Sequence, residues 1–188
     1  MNITELIVDH NIVLKILDIN DSQIIFDAID TNRYHLRKWL PFIDATRTVN
    51  DTRAFVKSIV EDIERRQEVF TIWFNDSFCG LAGIKEIDFL NRKAEIGYWL
   101  VENATGKGIM IKSVDKVIQF VFDELEMNRI QIRCGVGNTK SSAIPKKLGF
   151  FFEGVERQGE RFHTKYIDLE VYSMLKSEYS ESRSSKNY

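Results

Sequence analysis

Proline is nearly missing from this 188-residue chain, at 2, and glycine stands at only 10. So little of either excludes a collagen-like, low-complexity or largely disordered protein. Cysteine is as scarce. Cys79 and Cys134 lie far apart with no Cys-x-x-Cys context, so they read as buried, reduced thiols inside strands, and nothing asks for a disulfide. His10, His35 and His163 are scattered, and no close ligand pair announces a metal, so none is expected. Neither sign of charge prevails: 26 Lys+Arg face 28 Asp+Glu for a net charge of -2, with a pI near 6.0. That balance argues against a protein built to coat nucleic acid, while leaving room for a local basic patch. No apolar run approaches the ~20 residues that a membrane-spanning helix needs. Met1 to Asp9 lacks the basic-then-apolar layout of a secretory signal. The expectation is a cytoplasmic protein with no membrane partner and no direct nucleic-acid partner.

What is present is an ordinary globular composition, 44% hydrophobic and 29% charged, enough for one domain with a real core. It is expected over 1–179, with a polar tail at 180–188; serine-rich Ser177 to Tyr188 reads as fraying chain. Ile12 to Leu17 reads as a strand. Asn20 and Asp21 offer caps to a helix carrying Ile24, Ile25, Ala28 and Ile29, and Asn50 and Asp51 to another with Phe55, Ile59 and Ile63 on one face. Between them lies the aromatic turn Arg37 to Phe42, whose Trp39 reads as core. The period then changes: Val69 to Phe74, Phe78 to Ile87 and Lys93 to Val101 are strand-like and joined too tightly to be anything but antiparallel. Ile109 to Leu125 is a long helical pattern. Arg129 to Val136 returns to strand composition, and a crossover of this length makes the pair parallel. A short helix from about Ser142 to Leu148 tolerates Pro145 if it falls in the first turn. Strands near Phe150 to Glu156 and Lys165 to Leu175 close an α/β fold with a mixed antiparallel and parallel sheet.

The richest junction is Ile96-Gly97-Tyr98-Trp99-Leu100-Val101-Glu102-Asn103-Ala104-Thr105-Gly106-Lys107-Gly108-Ile109. A strand ends, two glycines one residue apart let the backbone curl, and a long helix begins with free N–H groups. That is a ready site for phosphate or pyrophosphate. It is not a Walker loop, because Gly108 follows Lys107 where Ser or Thr belongs, and Ile111 stands where a dinucleotide fingerprint needs glycine. Read alone, the glycine pair fits a ligand-free turn equally well. The next strand-to-helix junction carries Gly137-Asn138-Thr139-Lys140-Ser141-Ser142, where Asn138 and Ser141 serve either as caps or as ligand contacts. In a parallel pair the two junctions lie side by side, where open α/β sheets bind ligands.

These residues resemble the GCN5-related N-acetyltransferases (GNAT). Glu95-Ile96-Gly97-Tyr98-Trp99, Asn128-Arg129, Asn138-x-x-Ser141 with Leu148-Gly149-Phe150, and Tyr166-x-Asp168-Leu169-x-Val171-Tyr172 are similar to the RimL-type subgroup, over roughly Ile7 to Tyr179. The resemblance implies a GNAT fold with a splayed central strand pair and acetyl-CoA as cosubstrate. It implies that main-chain groups of Trp99, Leu100 and Val101 meet the pantetheine arm and that the amides of Thr105, Gly106, Lys107, Gly108 and Ile109 cradle the pyrophosphate. Asn138 is then expected on the pantetheine side and Ser141 near the sulfur. Asn103 departs from the Gln or Arg of the general family, but backbone amides supply most such contacts.

The implied reaction is direct attack of an amine on the thioester. It needs a proton acceptor for the amine and a donor for the leaving thiolate; Glu95, directly or through water, and Ser141 are the candidates. The equal alternatives are a surface carboxylate and a helix cap. The leading acceptor is a protein N-terminal α-amine of ribosomal-protein type. The alternatives are a polyamine, amino sugar or other metabolite amine, and a catalytically idle acyl-CoA-binding module. Segments Trp39 to Asp44 and Arg157 to Thr164 are expected to decide the acceptor. Association as a homodimer, common among relatives, is left open by the sequence.

Overall fold

A computed structural model of the chain describes residues 4–62, 64 and 66–184. Among them the strands are β1 (Glu5–Ile7), β2 (Ile12–Ile16), β3 (Glu68–Phe74), β4 (Ser77–Asp88), β5 (Lys93–Leu100), β6 (Arg129–Gly135), β7 (Phe151–Phe162) and β8 (Lys165–Leu175). The α-helices are α1 (Ser22–Thr31), α2 (Arg33–Leu36), α3 (Val49–Val60), α4 (Ile109–Gln119), α5 (Thr139–Lys147) and α6 (Lys176–Ser184). The strands form one sheet in the order β1-β2-β3-β4-β5-β6-β8-β7. Every neighbouring pair is antiparallel except β5 and β6, which are parallel. That exception follows from the crossover through α4, as the spacing required.

The sheet separates two cores. On one face, α4 lays Ile109, Met110, Val114, Val117 and Ile118 on Phe70, Ile84, Ile96 and Ile130. On the other, Ile25 and Ile29 of α1 and Val56 and Ile59 of α3 close over Leu36, Ile43 and Leu81. Consecutive Leu81 and Ala82 of β4 serve opposite cores, as the two-residue period of a strand dictates.

Several boundaries depart from expectation for local reasons. Thr48, rather than Asn50, caps α3, through a reciprocal capping box with Asp51. Its inward residues are Thr52, Val56 and Ile59, so Phe55 lies on the exposed side; Ile63 lies outside the described residues. The long helical pattern is α-helical only to Gln119 and continues as a π turn over Phe120–Glu124. Strand β7 runs on to Phe162, because bulges around Gly154 and between Glu156 and Glu160 keep it paired with β8.

The C-terminal segment needs a larger correction. Chain expected to fray from Ser177 is helix α6. Tyr179 is its anchor: its ring packs 4.9 Å from that of Phe122 and its hydroxyl donates to Asp123 at 3.0 Å. One buried aromatic holds an otherwise polar helix. Residues 185–188 lie outside the described part.

Candidate active site

Strands β5 and β6 pair only over Lys93–Glu95 and Arg129–Gln131, although β5 continues to Leu100 and β6 to Gly135. Beyond Glu95 they part, leaving a fork at the carboxyl ends of two parallel strands. Strand alternation decides which main-chain groups face it. Arg92 O accepts from Asn128 N on the β6 side, whereas Val101 N donates to Cys79 O on the β4 side. The main-chain groups of Tyr98 and Leu100 therefore face the fork, while those of Trp99 and Val101 face β4. The side chains of Leu100 and Val101 are buried in the core, and the Trp99 ring packs edge-on against Phe78 at 6.1 Å.

At the open end of β5, Gly106 and Gly108 adopt φ of 79° and 76°, a left-handed backbone that favours glycine. A methyl group at either would meet no protein atom within 4 Å. The space beside the loop is open, and packing does not explain the glycines. Gly108 is the N-cap of α4 and supplies no side-chain cap, so the first N–H groups of that helix remain available to an anion. Thr105 braces the approach by donating from its hydroxyl to Glu102 O at 2.8 Å. Lys107 and Asn103 are exposed, and the cation of the first helical turn, Lys112, is held by Asp9 at 2.8 Å. An anion at this loop would be met by backbone amides rather than by a committed cation.

Across the fork, α5 begins three residues earlier than expected. Asn138 caps it, its Oδ1 accepting from Ser141 N at 3.2 Å, which leaves its amide N–H donors for a ligand. Ser141 Oγ lies 3.3 Å from Cys134 Sγ. The early start moves Pro145 out of the first turn and into the body of the helix. There it removes the N–H that would have reached Ser141 O. The Tyr98 hydroxyl fills that place, donating to Ser141 O at 3.0 Å from the opposite arm of the fork. Burial pushes the Tyr98 hydroxyl well above its ordinary range, so it stays a donor. Burial also raises the Cys134 thiol, which keeps it protonated and unsuited to nucleophilic work.

Glu95 stands at the root of the fork and is 5% exposed. Its Oε2 accepts from Arg133 Nε at 2.9 Å and Gln131 Nε2 at 3.1 Å. Lys85, in the bulge of β4 between Ile84 and Glu86, brings Nζ to 3.4 Å from Oε1. These three partners were not apparent in the sequence, because they depend on strand register. Trp39, expected in the core, is 38% exposed. It lies over the end of β6, where a methyl at Gly135 would meet its ring at 3.4 Å. The two segments expected to decide the acceptor do meet: His163 Nδ1 is 3.2 Å from Asp44 Oδ2, which also accepts from Arg37 at 3.0 Å. The second segment is the tip of the β7–β8 hairpin rather than a loop.

A family model described as an acetyltransferase (GNAT) domain matches residues 11–151. The chain belongs to the GNAT family. It is 34% identical over 177 residues to a putative ribosomal N-acetyltransferase, YdaF, of Bacillus subtilis, covering 92% of this chain and 95% of the relative. It is 30% identical over 152 residues to the ribosomal-protein-serine acetyltransferase of Escherichia coli, covering 80% and 85%. Among solved structures, the microcin C7 self-immunity acetyltransferase MccE in complex with acetyl-CoA and AMP superposes with a TM-score of 0.87 at 26% identity, covering 92% of this chain and 96% of that one. The chain is thus an acetyl-CoA-dependent N-acetyltransferase of the RimL type. The open glycine loop and uncapped start of α4 fit the anionic end of that cosubstrate.

Proposed function

We propose that this enzyme acetylates a protein N-terminal α-amine of ribosomal-protein type. The reading is supported by the two relatives named for ribosomal substrates and by the fork itself. The single observation that carries the chemistry is the juxtaposition, at one fork, of an uncapped helix start, Ser141 and Glu95. The amides from Thr105 to Ile109 hold the phosphates, Tyr98 and Leu100 main-chain groups line the arm, and Asn138 donates to it. The amine nitrogen bonds to the acetyl carbonyl carbon as the carbon–sulfur bond breaks, and the thiolate receives a proton. Ser141 Oγ stands as hydrogen-bond donor to the departing sulfur.

An α-amine has an ordinary pKa near ~7.7–8.0, so a useful fraction is already neutral at pH 7. Glu95 is proposed to accept the remaining proton through water. Its Oε2 already accepts from Arg133 and Gln131, and Oε1 faces the Lys85 ammonium, which disfavours direct abstraction. Polyamine acceptors fit less well. A polycation wants uncommitted carboxylates, and Asp44 on the acceptor side is paired with Arg37 and His163.

A thiol-release assay with N-terminal peptides, polyamines and aminoglycosides tests the reading. Turnover confined to α-amine peptides is expected. Preference for polyamines or amino sugars sinks the acceptor assignment, and tight acetyl-CoA binding without turnover on any amine indicates an idle module.

A further inference from the structure

Ser141 sits on a helix with a built-in defect. A backbone carbonyl in the body of a helix accepts from the N–H four residues on, and for Ser141 that residue is Pro145, which has none. The pyrrolidine ring also pushes against that carbonyl and opens the turn. The neighbouring bonds are intact: Ser142 N donates to Asn138 O at 3.0 Å and Leu148 N to Ile144 O at 3.0 Å. The orphaned oxygen is therefore local to Ser141. The Tyr98 hydroxyl reaches it at 3.0 Å from β5, the arm that parts from β6 beyond Glu95. Adjoining it, Ser141 Oγ meets Cys134 Sγ at 3.3 Å on the other arm.

We propose that Tyr98 is a positioning residue for the transfer step: by supplying the donor that Pro145 withholds, it ties the two arms of the fork together at Ser141 and fixes the direction of the Ser141 hydroxyl. The start of α5 at Thr139 creates the need. With Ser141 in the first turn and proline four residues on, the helix supplies no i+4 donor to that carbonyl, and an unsatisfied half-buried carbonyl would let the first turn of α5 shift. A shift of a few tenths of an ångström there moves the hydroxyl away from the place where negative charge gathers. This inference rests on the role proposed for Ser141.

The test is a kinetic cycle using Tyr98→Phe, Pro145→Ala, the double variant and Ser141→Ala in the full chain. Tyr98→Phe keeps the ring and removes only the donor. It is expected to lower kcat roughly three- to tenfold, the scale of one ordinary hydrogen bond, with KM for acetyl-CoA unchanged. Pro145→Ala restores a helical N–H beneath Ser141 O, so in that background Tyr98→Phe is expected to cost less than twofold. Lost packing would not be repaired this way, because residue 145 does not replace the phenol. An equal loss of kcat in both backgrounds overturns the proposal, as does an unchanged kcat for Tyr98→Phe when Ser141→Ala is slow. If Ser141→Ala itself turns over at the full rate, the assigned role of Ser141 fails and the positioning role falls with it.

Discussion

Asp9 and Lys112 are 103 positions apart and form a 2.8 Å ion pair that ties the β1–β2 turn to the first turn of α4. The Lys112 ammonium, together with the Asn11 and Ile12 amides, holds the Asp9 carboxyl down at about 2. A folded pKa below the ordinary carboxylate value means that the stabilising contribution is present above about 4 and is lost as pH falls through about 2. Asp9→Asn is therefore expected to melt slightly lower than wild type at neutral pH, with the difference shrinking in high salt and as pH falls from about 4 through about 2. Melting curves from pH 2 to 7 at two salt concentrations check this. A difference undiminished at pH 2 would falsify the linkage.

Gly106 and Gly108 combine left-handed backbone with open surroundings. Alanine at position 108 should cost about 1 kcal/mol in stability from strain alone. If the position serves the cosubstrate, acetyl-CoA affinity should fall further, by tenfold or more, because the added methyl stands where phosphates approach the amides. Isothermal titration beside thermal melts separates the two effects. Unchanged affinity would assign the glycine to the turn only.

Glu95→Gln keeps the shape of the side chain and removes its charge. Turnover is expected to fall about a hundredfold, the lower end for general-base assistance, with acetyl-CoA binding unaffected. The loss should be greatest at low pH, where less of the amine is already neutral. Full activity across pH 6–9 would remove Glu95 from proton transfer and leave it as the partner of Arg133 and Lys85.

Tyr179 extends the folded unit to α6. Burial, reinforced by the hydrogen bond to Asp123, pushes its hydroxyl up to about 12. A folded pKa above the ordinary 10 favours the neutral form, so its contribution is present below pH 10 and is lost as pH rises through about 12. Tyr179→Phe should flatten the stability profile between pH 10 and 12. Tyr179→Ala should cost about 3 kcal/mol at neutral pH. Chemical denaturation of the two variants checks this.

Much of this molecule is legible in its residue order. The antiparallel run β3–β4–β5 is forced by turns such as Asn75-Asp76, both with positive φ. The parallel β5–β6 pair is forced by the length of the α4 crossover, and the glycine loop by two glycines at a strand-to-helix junction. Each of these depends on neighbours within a few residues or on a single length, and local chemistry settles them. Pro145 is legible only as a residue tolerable in a first turn; that it falls inside α5, four residues after Ser141, depends on the helix starting at Thr139.

Which donor meets the Ser141 carbonyl only the tertiary structure decided. Tyr98 lies 43 residues before Ser141, and it arrives there because β5 and β6 part after Glu95, which no period in the sequence specifies. The same holds for Glu95. Its neighbours in sequence are apolar, while the Arg133, Gln131 and Lys85 that set its electrostatics come from strand register and a bulge in β4. Helix α6 shows the other limit: a polar, serine-rich segment reads as fraying until one tyrosine finds Phe122 and Asp123. Local residue chemistry chose the elements, and the register and packing of distant strands chose which side chains meet at the fork.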